Sequence, residues 1–250
     1  MLKFLKLHAN GNDFLIIFSL KKNNFLKKYL NKKTGISCDQ LFIIKSINYK
    51  NKFINIKIFN NNLIEAKNCG NGIRCLSWFF LLKLKKFIFI NFILNKNFIY
   101  SWKTKKNFFT SYKIPKINIK IIFRFENIFL KSCFVNLLNL HIIFIVKNIN
   151  SNNLIFLKKK IIFHFKDNYN IEFIQIIKNN NFYIRIFEKN VGETYSCGSG
   201  IISSCCYIKK IFFLNSNIFI NSLGGNCIVS FSKKFVIING KVNFCFYGYI

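Results

Sequence analysis

Glu193-Thr194-Tyr195-Ser196-Cys197-Gly198-Ser199-Gly200 has a counterpart earlier in the chain, Glu65-Ala66-Lys67-Asn68-Cys69-Gly70-Asn71-Gly72, at an offset of 128 residues. At the same offset Ile56, Ile58, Phe59, Asn62 and Ile73 meet Ile184, Ile186, Phe187, Asn190 and Ile201. Ile and Asn are abundant here, so those matches are cheap. The matches at Glu, Cys and Gly are not. The pattern reads as an internal duplication in which each half presents one cysteine in the same way.

Local structure follows from the pattern. Residues 53–59 and 182–187 alternate apolar and polar side chains and predict strands. A polar loop follows each. After each Cys-Gly-x-Gly the apolar residues take helical spacing: Ile73, Leu76 and Phe80, then Ile201, Cys205, Ile208 and Phe212. Each unit is therefore strand, loop, cysteine, helix. The glycines allow a tight turn and close approach to a ligand. They set each cysteine at a helix N-terminus, where free N–H groups and the dipole favour an anion. Such a thiol is expected to have a lowered pKa and thiolate character. The same N–H groups can hold a carboxylate.

The chain has 250 residues, 52% of them hydrophobic, which suffices for one large domain or two of ordinary size with a sizeable core. The net charge of +31 resembles a nucleic-acid signature. Yet Lys, Asn, Ile and Phe are inflated together, as A/T-rich codons would dictate. Arginine, the preferred base and phosphate reader, occurs only at 74, 124 and 185. No nucleic-acid partner is expected. Of eight acidic residues, five (Asp13, Asp39, Glu65, Glu188, Glu193) lie in or beside the glycine and cysteine motifs. Nine cysteines, with no signal peptide, point to free thiols in a reducing, cytoplasmic setting. No apolar run reaches transmembrane length, so no membrane partner is expected.

Taken in order, residues 1–18 predict two strands around an Asn10-Gly11 turn, with Asn12 and Asp13 just beyond it. Asp39 and Gln40 precede a buried strand. Residues 95–120 are the weakest stretch for structure and hold the single proline, Pro115. The crossover between halves is placed near 112–116, giving domains 1–113 and 114–241, with strand 242–250 returning to close the first. Strands are expected around 117–146. The charged stretch 157–160 follows, then a loop at 166–175 entering a strand, and a hairpin at Gly224-Gly225.

The ordered motifs His8-x-x-Gly-Asn-Asp-Phe14, Gly35-x-x-x-Asp-Gln40, Phe59-Asn60, Asn68-Cys-Gly-Asn-Gly-x-Arg-Cys75, Asn139-x-His141, Asn170 and Glu188-x-x-x-Gly-Glu-Thr-x-x-Cys-Gly-Ser-Gly200 resemble those of the diaminopimelate epimerases over nearly the full chain. The resemblance implies an α+β fold of two pseudo-symmetric domains. Each would be a strongly curved, mostly antiparallel sheet wrapped around a central helix, with the cysteines facing each other between them. It also implies interconversion of LL- and meso-2,6-diaminopimelate, in lysine and peptidoglycan-precursor biosynthesis, without pyridoxal phosphate or metal, and a homodimer closed by Phe246–Ile250. Carried over by motif, Cys69 would be the proton donor and Cys197 the acceptor in the LL-to-meso direction. His141 and Glu188 would tune the thiols. Substrate contacts would fall on Asn12, Gln40, Asn60, Gly70, Asn71, Asn139, Asn170, Glu188, Lys189, Gly198 and Ser199. Leu140 stands where a proline is usual, Phe246 where a tyrosine is, and Lys189 where an arginine grips the distal carboxylate, so its bidentate fork is lost. Two other readings stay open: a proline-racemase-like isomerase of the same architecture, and a non-catalytic basic binding protein.

Overall fold

The computed structural model describes residues 1–18, 26–66, 68–95, 97–105, 107–118, 122–125, 128–137, 139–165, 168–189, 191–214 and 217–250. Lys67, Lys166, Asp167 and Asn190, which belong to motifs above, lie outside them, as do 119–121 and 126–127 within the predicted strands around 117–146. The chain divides into two units: 1–112 with 239–250, and 113–238.

The first pass through unit one contains β1 (Lys3–Ala9), β2 (Asn12–Phe18), α1 (Leu26–Tyr29), β3 (Gln40–Asn48), β4 (Phe53–Asn60), α2 (Gly70–Ser77), β5 (Phe89–Leu94), β6 (Asn97–Lys103) and β7 (Phe108–Lys113). Unit two holds β8 (Lys116–Asn118), β9 (Ile122–Phe125), β10 (Ile128–Leu137), β11 (Asn139–Ile145), α3 (Asn153–Phe165), β12 (Asn170–Lys178), β13 (Asn181–Glu188), β14 (Gly192–Thr194), α4 (Gly198–Phe212), β15 (Ile218–Ser222), β16 (Gly225–Phe231) and β17 (Phe235–Gly240). The chain then returns to unit one as β18 (Asn243–Tyr249), antiparallel to β1.

The duplication is visible in strand pairing. In unit one β1–β2 is antiparallel, β2–β3 parallel, β3–β4 antiparallel, β4–β5 parallel and β5–β6 antiparallel. In unit two β10–β11, β11–β12, β12–β13, β13–β15 and β15–β16 repeat those senses in the same order. Each parallel junction needs a long crossover. Helices α2 and α4 supply one in each unit. Every residue of α2 is buried, as is every residue of α4 from Gly198 to Ile208. A helix buried all round sits inside its sheet rather than on a surface. This is the expected α+β class, a wrapped sheet around a central helix. Among the described residues no helix is long and apolar enough to cross a membrane.

Three local readings differ from expectation. Residues 95–120 carry strands β6, β7 and β8. In β6 the inward face mixes Ile99 with Ser101, which is fully buried and bonded to Ser77 and Thr110, while the aromatic Phe98 is 65% exposed. An apolar-inward rule misses such a strand. Residues 153–165 form α3, whose buried Leu154, Leu157 and Ile161 have helical spacing behind the lysines that dominate the stretch. The first central helix also leaves α-helical geometry after Ser77 and continues as a π-helix over Trp78–Lys83.

Candidate functional site

Unit one carries one set of the expected residues, Cys69 among them. Cys69 is the N-cap of α2 in extended conformation, and its Sγ accepts the Gly72 N–H at 3.4 Å. Gly72 is obligatory: a Cβ there would lie 2.1 Å from the buried Phe42 ring. Asn71 Nδ2 donates to Asn12 Oδ1 at 2.6 Å, and Gln40 Nε2 donates to Asn60 Oδ1 at 2.9 Å across the β3–β4 ladder. Asp39 lashes the β1–β2 turn to β3: its N–H donates to Asp13 Oδ1 at 2.7 Å and its carboxylate accepts the Asp13 N–H at 3.1 Å. Behind this face Arg74, fully buried, donates to Asn71 Oδ1 at 2.7 Å and Asn10 Oδ1 at 2.9 Å.

Unit two carries the other set, with Cys197 as the N-cap of α4. Cys197 Sγ lies 3.3 Å from Ser199 Oγ. Asn170 Oδ1 accepts the Lys189 N–H at 2.9 Å, and Thr194 Oγ1 donates to Glu188 Oε1 at 2.9 Å. Lys189 is exposed, with its Nζ 3.5 Å from Asn168 Oδ1. Asn139 is half-buried at the start of β11. His141 is fully buried, its Nδ1 2.7 Å from Glu172 Oε1.

The electrostatics correct one expectation. Burial pushes the Cys197 thiol well above its ordinary value, and the Glu188 carboxylate pushes the same way. The Ser199 hydroxyl and Gly200 N–H oppose, and Glu172 adds a further upward push. The helix N-terminus alone would lower this thiol; desolvation and two nearby carboxylates win. Glu188 is raised too, first by burial, against the hydrogen bonds from Thr194 and Cys197. The repeated glutamates are structural. Glu65 pairs with Lys57 at 3.2 Å, and Glu193 receives Arg185 at both oxygens, at 2.6 and 3.0 Å. Lys57 and Arg185 are themselves 128 residues apart, so one clamp ties each pre-cysteine loop to its strand.

Sequence reasoning left two residues without a role. Arg74 was legible only as a rare arginine inside the cysteine motif. Glu172 was legible as a carboxylate between Ile171 and Phe173 in a strand, a position that buries it.

Each half thus holds a cysteine-capped buried helix beside paired amide and carboxylate side chains at strand ends. No family model matches the chain. Among solved structures, a phenazine biosynthesis PhzF-family protein from Enterococcus faecalis superposes with a TM-score of 0.75 at 12% identity, covering 100% of this chain and 99% of that one. A probable proline racemase from Agrobacterium radiobacter K84 gives 0.71 at 10% identity, covering 100% and 93%. These place the chain in the class of duplicated, helix-centred α+β folds. In sequence, the diaminopimelate epimerase of Wigglesworthia glossinidia brevipalpis is 35% identical over 279 residues, covering 100% of this chain and 99% of that protein. That of Buchnera aphidicola subsp. Baizongia pistaciae is 29% identical over 251 residues, covering 90% and 86%. The chain belongs to the diaminopimelate epimerase family.

Proposed function

We propose that this protein interconverts LL- and meso-2,6-diaminopimelate by two-base proton transfer, without a cofactor. The observation that carries the reading is the repeated unit: one cysteine in each half caps a buried helix whose glycines admit close approach. Inverting a stereocentre needs a base on one face of the α-carbon and an acid on the other. In this reading both cysteines act on one α-carbon, with Cys197 as proton acceptor and Cys69 as donor in the LL-to-meso direction. The raised Cys197 and Glu188 share a proton, so Cys197 becomes a base by passing its proton to Glu188. The N–H groups at the helix starts, at Gly70, Asn71, Gly198 and Ser199, receive the α-carboxylate and stabilise the charge that develops there. Asn12, Gln40, Asn60, Asn139, Asn170 and Lys189 receive the remaining polar groups, with Lys189 a monodentate partner for the distal carboxylate.

The test is deuterium incorporation at the α-carbon of LL-diaminopimelate in heavy water, alongside epimerisation. Cys69→Ser and Cys197→Ser should each cut epimerisation by at least about 100-fold, because a hydroxyl is a poor proton carrier at neutral pH. Both should still bind substrate. Near-normal turnover in either variant removes the two-thiol mechanism. Turnover of proline in place of diaminopimelate moves the chain to the proline-racemase-like reading.

A further inference from the structure

The duplication sets the same backbone positions beneath both cysteine-capped helices, and the two halves fill them with opposite chemistry. In unit one Phe14 on β2 and Phe42 on β3 pack edge to face, ring centroids 5.6 Å apart, with Phe42 against Gly72. Register identifies their counterparts. Phe14 stands beside Gln40 in the parallel β2–β3 pair, as His141 stands beside Asn170 in the parallel β11–β12 pair. Phe42 faces Ile58 across β3–β4, as Glu172 faces Ile186 across β12–β13, and Ile58 and Ile186 are repeat partners. A Cβ on Gly200 would lie 2.6 Å from Glu172 Oε1, so Glu172 fills the space under α4 that Phe42 fills under α2.

A buried phenylalanine pair has thus become a buried His141–Glu172 pair, 2.7 Å apart and fully enclosed, in the half that carries Cys197 and Glu188. Stability does not call for it. A packed apolar pair usually serves a core as well as a buried ionisable pair or better, and unit one demonstrates that packing. His141 Nε2 and Glu172 Oε2 are buried with no protein hydrogen-bond partner among the described residues. Both residues also act electrostatically on Glu188, and Glu172 acts on Cys197.

We infer that Glu172 is a positioning residue for proton transfer: its carboxylate accepts the His141 Nδ1–H, fixing ring and tautomer so that Nε2 is the nitrogen that handles protons. The logic is that of a base oriented by a third group. This rests on the epimerase reading above. The carboxylate needs no direct contact with substrate, and Gly200 is the feature of α4 that admits it.

Two measurements test it. Nitrogen-15 NMR of the uniformly labelled protein, with His141 assigned by difference from His141→Asn, reads the tautomer without any turnover. The expected spectrum has the proton on Nδ1 near neutral pH; a neutral ring with the proton only on Nε2 overturns the inference, whatever the enzyme turns over. Kinetically, Glu172→Gln preserves shape and removes charge. It should lower kcat roughly 10- to 100-fold with KM within about threefold, and should shift a limb of the kcat/KM pH profile. The double variant His141→Phe with Glu172→Phe copies the pair of unit one. It should fold with a denaturation midpoint at or above that of the parent and lose turnover. Parental kcat and pH profile in Glu172→Gln, or surviving turnover in the double variant, overturns the inference. A parent protein that neither exchanges nor epimerises diaminopimelate defeats the epimerase reading instead, and the NMR result still decides the tautomer.

Discussion

Half-buried Glu188 and buried Cys197 act on each other unequally: the carboxylate opposes ionisation of the thiol, while the hydrogen bond from Cys197 favours the charged carboxylate. The Glu188 carboxylate raises the thiol, and burial raises both groups. The sign of one substitution follows. Glu188→Gln removes a negative charge beside Cys197, so the thiol's pKa should fall, and the pH of half-maximal alkylation by iodoacetamide should move down. Epimerisation should move the other way, dropping about 100-fold, because the acceptor for the thiol proton is gone. Greater thiolate reactivity with lower turnover is the expected signature. Alkylation unchanged, or shifted to higher pH, would show that Glu188 does not couple to the thiol. At this scale the paired cysteines were legible in motif spacing, whereas Glu188 and His141 were singled out only through the family resemblance. The raised thiol was not. It depends on how far Cys197 is buried and on a carboxylate brought from another strand.

The two central helices show what an element demands of its neighbours. Gly72 and Gly200 stand at the same place on α2 and α4, and both are needed for close approach. Their neighbours differ in what a methyl group would disturb. Gly72→Ala would press on a fully buried Phe42 ring with nowhere to yield, and should cost about 1–3 kcal/mol of stability in urea denaturation. Gly200→Ala would press on the Glu172 carboxylate and pull it from His141, so turnover should fall well beyond what lost stability explains. Equal stability of Gly72→Ala and the parent would contradict the packing described for α2. Strands 53–59 and 182–187 and the helix starts at both cysteines were readable, because periodicity and glycine placement are local signals. Strand β6 and helix α3 were not. One turns its aromatics outward, and the other hides its apolar stripe behind lysines.

Across the whole molecule, thiols bury in both units. Cys75 in α2 and Cys205 in α4 are fully enclosed, and burial raises each well above its ordinary value; Cys38 is pushed up to about 12. A raised folded pKa adds stability that is complete below the unfolded value near 9 and is lost as pH rises through the folded value. Thermal midpoints in the presence of reductant should therefore hold from neutral pH to about 9 and then fall. Each buried thiol should contribute about 1 kcal/mol of loss per pH unit above that. A flat profile to pH 10 would mean that these thiols ionise inside the fold without cost. The sequence by itself determined the duplication, the strand–cysteine–helix unit and the family, because each is written in short spacings that backbone geometry constrains directly. Only the tertiary structure decided which carboxylates meet a thiol, which glutamates merely clamp a loop, and that a phenylalanine pair in one half becomes His141–Glu172 in the other. Those outcomes come from residues on different strands, 31 positions apart in the case of His141 and Glu172, whose meeting is set by sheet register and burial rather than by any local pattern.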